Sequence, residues 1–245
     1  MSTWAILGLA TVTAIATGLG ALPFFFFPRI SREWLGISNA IAGGVMIAAS
    51  GGLIVEGFSV NMGRVALGAV IGVVFIVLSH RWLTDMGEVH VGRLRGADAL
   101  KALMIVGVMT AHSFTEGVGV GVAFGGGQPL GISITTAIAI HNIPEGLAIS
   151  LVLVPRGTPA WAAAGWSVFS SLPQPLLAVP AYLFVEAFAP FFPIGLGFAA
   201  GAMLWMVVSE LVPDALESAG RSRVVAALVV SILAMSAFQV FIQHP

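Results

Sequence analysis

Eight stretches of about twenty or more mostly apolar residues, joined by short polar connections, run through this chain. A helix needs about 20 apolar residues to cross a hydrocarbon core of ~30 Å, and the expected spans are 3–27, 36–58, 64–83, 99–124, 129–155, 160–188, 191–213 and 223–242. A β-barrel would alternate apolar and polar residues in segments of about ten, so the fold class expected is an all-α membrane protein of a single transmembrane domain. Composition agrees: only 9% of the 245 residues are charged, against about a quarter in a soluble domain. Thirty glycines do not indicate disorder, which needs low hydrophobicity and high net charge. A net charge of −1 without a basic patch leaves no footprint for nucleic acid. The absence of cysteine excludes disulfides, thiolate metal sites and a cysteine nucleophile. The first span lacks a basic leader and is too long for a signal-peptide core, so it reads as retained.

Basic residues give the direction of threading. Arg29 and Arg32 lie in the first connection, and Arg81, Arg93, Arg95 and Lys101 flank the third. Arg156 lies in the fifth, Arg221 and Arg223 in the seventh, and only Arg64 falls on the other side. The odd-numbered connections are therefore expected in the cytoplasm, with both termini outside. The longest polar stretch, 84–98, carries Asp85, Glu88, His90 and Asp98 and reads as a cytoplasmic loop.

Two internal similarities join spans that run in opposite directions. IAGGVMI at 41–47 aligns with FAAGAML at 198–204, and HSFTEG at 112–117 with HNIPEG at 141–146. Weak repeats of inverted orientation mark transporter folds with a site near the bilayer midplane.

Charge at that depth costs at least ~2.5 kcal/mol per residue and reads as functional. His112 and Glu116 fall at the middle of span four, His141 and Glu145 at the middle of span five. The i, i+4 spacing puts each pair on one helix face. Two facing antiparallel helices then gather two imidazoles and two carboxylates, a nitrogen and oxygen set suited to a divalent transition metal such as Zn2+. Two carboxylates also balance the charge of one divalent ion. A lone His–Glu pair would read equally as an interhelical contact or a proton relay; two copies at one depth favour metal.

Other residues share that depth. Met46 in span two offers a thioether, although packing is the simpler role for methionine. Gln174, between Pro173 and Pro175 in span six, should face the interior, because a buried amide without a partner costs a few kcal/mol. Ser113 and Asn142 each follow a histidine by one residue. Pro144, Pro173 and Pro175 free the carbonyls of Ile140, Phe169 and Ser171, which permits a kink or lines a cavity. Gly117, Gly119, Gly121 and Gly146 suit close helix approach, and GVGVG is no nucleotide loop because no strand precedes it. Glu56 at the outer end of span two, and Glu210 and Asp214 toward the inner end of span seven, are candidates for a transport path. His80 and His90 belong to the cytoplasmic mouth. Each of these five reads first as a solvated or interfacial residue, and His244 as a tail residue.

With HSFTEG and HNIPEGLAIS in place, supported by SSLPQPLLAVPAY at 170–182 and GFAAGAMLWMVVSELVPDAL at 197–216, the chain resembles the ZIP (Zrt/Irt-like) family of divalent metal transporters over nearly its whole length. The resemblance implies a two-metal centre between helices four, five and six with a methionine from helix two. The first metal would take Met46, His112, Glu116, His141 and Glu145; the second Ser113, Asn142 and Gln174, with Glu116 and Glu145 bridging. Many relatives place Asn at 113 and Glu at 174, so oxygen donation and negative charge at the second position are reduced here. The resemblance also implies alternating access through one helical bundle sliding against another. The expected activity is transport of Zn2+, with Fe2+, Mn2+ or Cd2+ as alternatives, toward the cytoplasm across a plasma or inner membrane. The metal is the transported substrate and no cofactor is expected; a homodimer is compatible. The rival is a membrane-embedded di-metal carboxylate enzyme, disfavoured because neither E-x-x-H nor H-E-x-x-H occurs.

Overall fold

The computed structural model describes residues 1–26, 31–85, 90, 91 and 94–243. Arg29, Glu88, Arg93 and His244 lie outside the described residues. Among the described residues the regular structure is helical apart from a two-residue antiparallel pair, β1 (His90–Val91) with β2 (Leu94–Arg95). The helices are α1 (Thr3–Gly18), α2 (Pro23–Phe26), α3 (Arg32–Asp85), α4 (Gly96–Gly125), α5 (Gln128–Leu153) and α6 (Ala160–Ser171). They continue with α7 (Pro173–Leu183), α8 (Val185–Phe188), α9 (Phe192–Met206), α10 (Val212–Ser218) and α11 (Arg221–Gln243). A π-helical turn, Val207–Leu211, joins α9 to α10.

Among the described residues six helical segments are long and apolar enough to cross a membrane: Thr3–Phe26, Arg32–Trp82, Asp98–Gly125, Gln128–Arg156, Val185–Ser218 and Arg221–Phe241. The chain is an all-α, multi-pass membrane protein. The second segment covers 51 residues, about 77 Å at the helical rise, over twice the hydrocarbon thickness. Its continuity is interrupted at Asn61, whose φ of −163° and ψ of 101° are not helical. Asn61 occupies the connection expected between spans two and three, and its Oδ1 accepts from the Arg64 backbone N–H at 2.9 Å. The expected sixth span is divided among α6, α7 and α8, because Pro173 cannot donate into the preceding turn; none of these pieces is long enough alone. Pro144, by contrast, is accommodated inside an uninterrupted α5.

The helices pack in two groups. In one, α1, α4, α5, α6 and α7 contact one another; in the other, α3 packs along α9, α10 and α11. The second group is held by reciprocal small-residue contacts. A Cβ on Gly68 or Gly72 would collide with the carbonyl oxygen of Ile194 or Phe198, and one on Gly197 or Gly201 with that of Val65 or Ala69. Two G-x-x-x-G faces thus meet backbone to backbone, the arrangement that maximises dispersion where lipid supplies no hydrophobic drive. In the first group, a Cβ on Gly146 would strike the Thr17 carbonyl, so α1 lies directly against the HNIPEG turn of α5. The seam between groups is mostly α3 on α5 and α4 on α9.

Polar contacts sort the connections into two faces. On one, Lys101 and Arg156 meet Asp214, and Glu33 pairs with Arg223. On the other, Arg64 Nη1 donates to the Pro190 carbonyl at 2.9 Å. Among the described residues, the connections around Lys101, Arg156 and Asp214 thus meet one another at one rim.

Candidate metal centre

The H-x-x-x-E pairs are set by helix period. In α4, His112 and Glu116 stand one turn apart, Nε2 to Oε1 3.6 Å; in α5, His141 Nε2 and Glu145 Oε1 are 3.2 Å apart. The two helices pack side by side, which brings His112 Nε2 within 2.7 Å of Glu145 Oε1. One ligand atom from each of His112, His141 and Glu145 lies within 4.8 Å of the others. Glu116 falls outside that tightest trio and joins it along its His112 edge.

His112, Glu116 and Glu145 are buried and His141 is nearly so. His112 Nδ1 and Nε2, His141 Nε2 and Glu145 Oε1 have no partner with hydrogen-bond geometry among the described residues, although buried polar atoms normally have one. An ion with tetrahedral bonds of about 2.0–2.1 Å sets its ligand atoms about 3.3 Å apart; the separations of 2.7, 3.2 and 3.6 Å bracket that value. The donor set is hard enough for carboxylate-preferring ions and nitrogenous enough for zinc or iron.

The other expected residues divide. Asn142 and Gln174 are fully buried beside the centre. Gln174 Nε2 donates to Glu116 Oε2 at 2.5 Å, and Asn142 Nδ2 donates to Gln174 Oε1 at 3.0 Å. Ser113 is buried on α4. Met46 is buried in the largest apolar cluster, with Ile105, Met109 and Ile149, the packing role that methionine commonly takes. Glu56 is exposed on α3. Glu210 lies in the π-helical turn, 3.2 Å from His80 Nε2; such turns recur at functional sites. Asp214 is held by Lys101 Nζ, 2.5 Å from both carboxylate oxygens, and by Arg156 Nη2 at 2.9 Å.

Sequence reasoning missed the contribution of α1. The Thr13 carbonyl accepts from Asn142 Nδ2 at 2.8 Å, the Thr13 hydroxyl lies 2.5 Å from Gln174 Oε1, and Thr17 Oγ1 is 2.7 Å from Ser171 Oγ. The available signal is the i, i+4 spacing of Thr13 and Thr17, the same as that of the histidine and glutamate pairs.

The model of the ZIP zinc transporter family matches residues 84–239. A candidate zinc transporter of Arabidopsis thaliana is 49% identical over 97% of this chain, which spans 38% of that protein's length. The zinc transporter GufA of Myxococcus xanthus is 32% identical, with 81% of this chain and 84% of the relative covered. The zinc transporter ZIPB of Bordetella bronchiseptica is also 32% identical, over 86% of this chain and 72% of its own. All three relatives bear the names of zinc transporters, in line with the family match and not with the di-metal enzyme reading. The chain belongs to the ZIP zinc transporter family.

Proposed function

We propose that the protein carries a divalent transition metal, zinc foremost, across its membrane toward the cytoplasm, binding it at His112, His141, Glu145 and Glu116. One observation carries the reading: imidazole nitrogens and a carboxylate oxygen from two helices gather within 4.8 Å inside a membrane protein. Fe2+, Mn2+ and Cd2+ suit the same donors. Ser113 and Asn142, each one residue beyond a histidine and buried, are the further donors of this reading, and Glu210, Glu56 and Asp214 serve the way to and from the centre.

The crossing number in this reading is eight. Dividing α3 at Asn61 gives two spans, and α6 with α7 acts as one discontinuous span; broken helices at membrane depth are tolerated where they line a site. The inverted relation of α4 to α5 then frames the centre, and the helix group carrying it slides along the group built on α3 and α9. Both termini lie outside the cytoplasm, and the membrane is a plasma or inner membrane. Zinc uptake into proteoliposomes tests the site. Wild type should accumulate zinc and Glu145→Ala should not; equal rates would sink the assignment.

A further inference from the structure

The polarity of the amide network beside the centre is fixed from one end. The Thr13 backbone carbonyl can only accept, so the group of Asn142 that faces it at 2.8 Å must be the amide nitrogen. The same Nδ2 lies 3.0 Å from Gln174, and two amide nitrogens cannot face each other there; the Gln174 atom is therefore the carbonyl oxygen. The Thr13 hydroxyl lies 2.5 Å from that oxygen and 2.7 Å from the Ala10 carbonyl; its one proton serves either acceptor, so the orientation rests on the Thr13 carbonyl and not on this hydroxyl. The remaining end of Gln174, its N–H, is thereby turned onto Glu116 Oε2 at 2.5 Å. Each member of this chain is buried.

An amide N–H offers no lone pair to a cation. It meets one carboxylate oxygen of Glu116 and leaves the other, Oε1, on the His112 side. Charge argues the same way. Glu116 and Glu145 neutralise one divalent ion, Ser113, Asn142 and Gln174 bring no charge, and the next carboxylate facing the histidines, Glu56, is exposed on α3 and is not part of the buried set. A second divalent ion would leave the buried centre at a net charge of two, in surroundings where uncompensated charge is heavily penalised.

We propose that the Gln174 amide, oriented through Asn142 by the Thr13 carbonyl of α1, takes the place of a second cation at Glu116, so that the centre holds one divalent ion per chain. The inference rests on the metal-transport reading and assigns its stoichiometry. Thr13 is a positioning residue, acting through Asn142 and Gln174 and not on the metal.

The test is a count of zinc bound by the purified full-length chain in lipid nanodiscs, by elemental analysis and calorimetric titration, for wild type and Gln174→Glu. Wild type should bind one zinc. Gln174→Glu places a third carboxylate against Glu116 and should bind two. Two zinc ions in wild type would overturn the proposal while leaving metal transport standing. One in a folded Gln174→Glu would overturn it as well, since the amide would then not be what keeps the second ion out. No zinc in wild type would remove the transport reading together with the inference. Should Gln174→Glu fail to insert, Mn2+-loaded wild type decides by electron paramagnetic resonance: isolated Mn2+ ions are expected, and an exchange-coupled pair would overturn the one-ion centre.

Discussion

Replacing Asp214 by Asn should loosen the two helix groups at one rim while leaving the metal centre intact. Asp214 on α10 is the acceptor between two cations of the other group, Lys101 on α4 and Arg156 just beyond α5. The Arg156 side chain is 3% exposed, Asp214 19% and Lys101 24%. Breaking a fully buried pair costs about 3–5 kcal/mol and an exposed one about 0.2–1. With these exposures the loss is ~2 kcal/mol, or about thirtyfold in the equilibrium between closed and opened rim. Arg156 keeps Asp98 at 3.2 Å and the Val152 carbonyl at 2.8 Å, so the helix end should not unravel. The chain has no cysteine, which makes single-thiol labelling free of background. Ser150 is fully buried on α5, and Ser150→Cys is close to isosteric. Its reaction with a maleimide in membranes should be slow, about thirtyfold faster with Asp214→Asn, and near the original rate with Asp214→Glu. An unchanged rate in Asp214→Asn would refute the argument that these ions hold the rim shut.

Gly201→Ala should separate α9 from α3, because the added methyl collides with the Ala69 carbonyl, a backbone atom that cannot rotate away. Overpacking of this kind costs about 1–3 kcal/mol, read as a lowered melting temperature; Gly8→Ala, with nothing within 4 Å, should melt like wild type. Zinc affinity should weaken as pH falls, since metal needs neutral imidazoles on His112 and His141 and ionised Glu116 and Glu145, and protons compete for all four. Titration calorimetry at pH 7.5 and 5.5 checks the sign, and tighter binding at the lower pH would contradict the donor set.

The gathering of His112, His141 and Glu145 was legible because its chemistry is expensive in lipid: imidazole and carboxylate spaced i, i+4 at mid-span carry a burial cost that marks them out. The role of α1 was not legible, for a physical reason. A hydroxyl in a membrane helix satisfies itself by bonding its own backbone, as Thr110 does to Val106, Thr135 to Gly131 and Thr136 to Ile132. A threonine therefore does not announce a partner elsewhere, and Thr13 touches Gln174 across 161 residues of sequence. Asp214 was similarly opaque. Near a span end it reads as solvated, and only the fold brings it to Lys101, 113 residues away. The break at Asn61 was foreseeable from Arg64 and the fading of the apolar run; that α3 keeps helical backbone on both sides of it was not.

The distribution of polar contacts bears on why a sliding movement is physically reasonable here. Any hydrogen bond broken at membrane depth leaves groups that lipid cannot satisfy, so a seam that slips should carry few of them there. The network of Thr13, Asn142, Gln174 and Glu116 stays within one helix group, bonding α1, α5, α7 and α4. The histidines and Glu145 belong to the same group, so the proposed cargo would travel with its ligands rather than being passed between bodies. On the seam, α5 brings Ile149 to the apolar cluster that holds Met46 of α3, and Gly195 of α9 faces the side chain of Thr115 on α4. Dispersion across such surfaces is weak per atom pair and is re-formed after a shift, whereas the glycine faces of α3 and α9 lock backbone to backbone and keep their own group rigid. The ions that bridge the groups, Lys101 and Arg156 with Asp214, lie at the rim. If the proposed sliding occurs, ions released there would be rehydrated instead of stranded in lipid, and would not make the movement prohibitive.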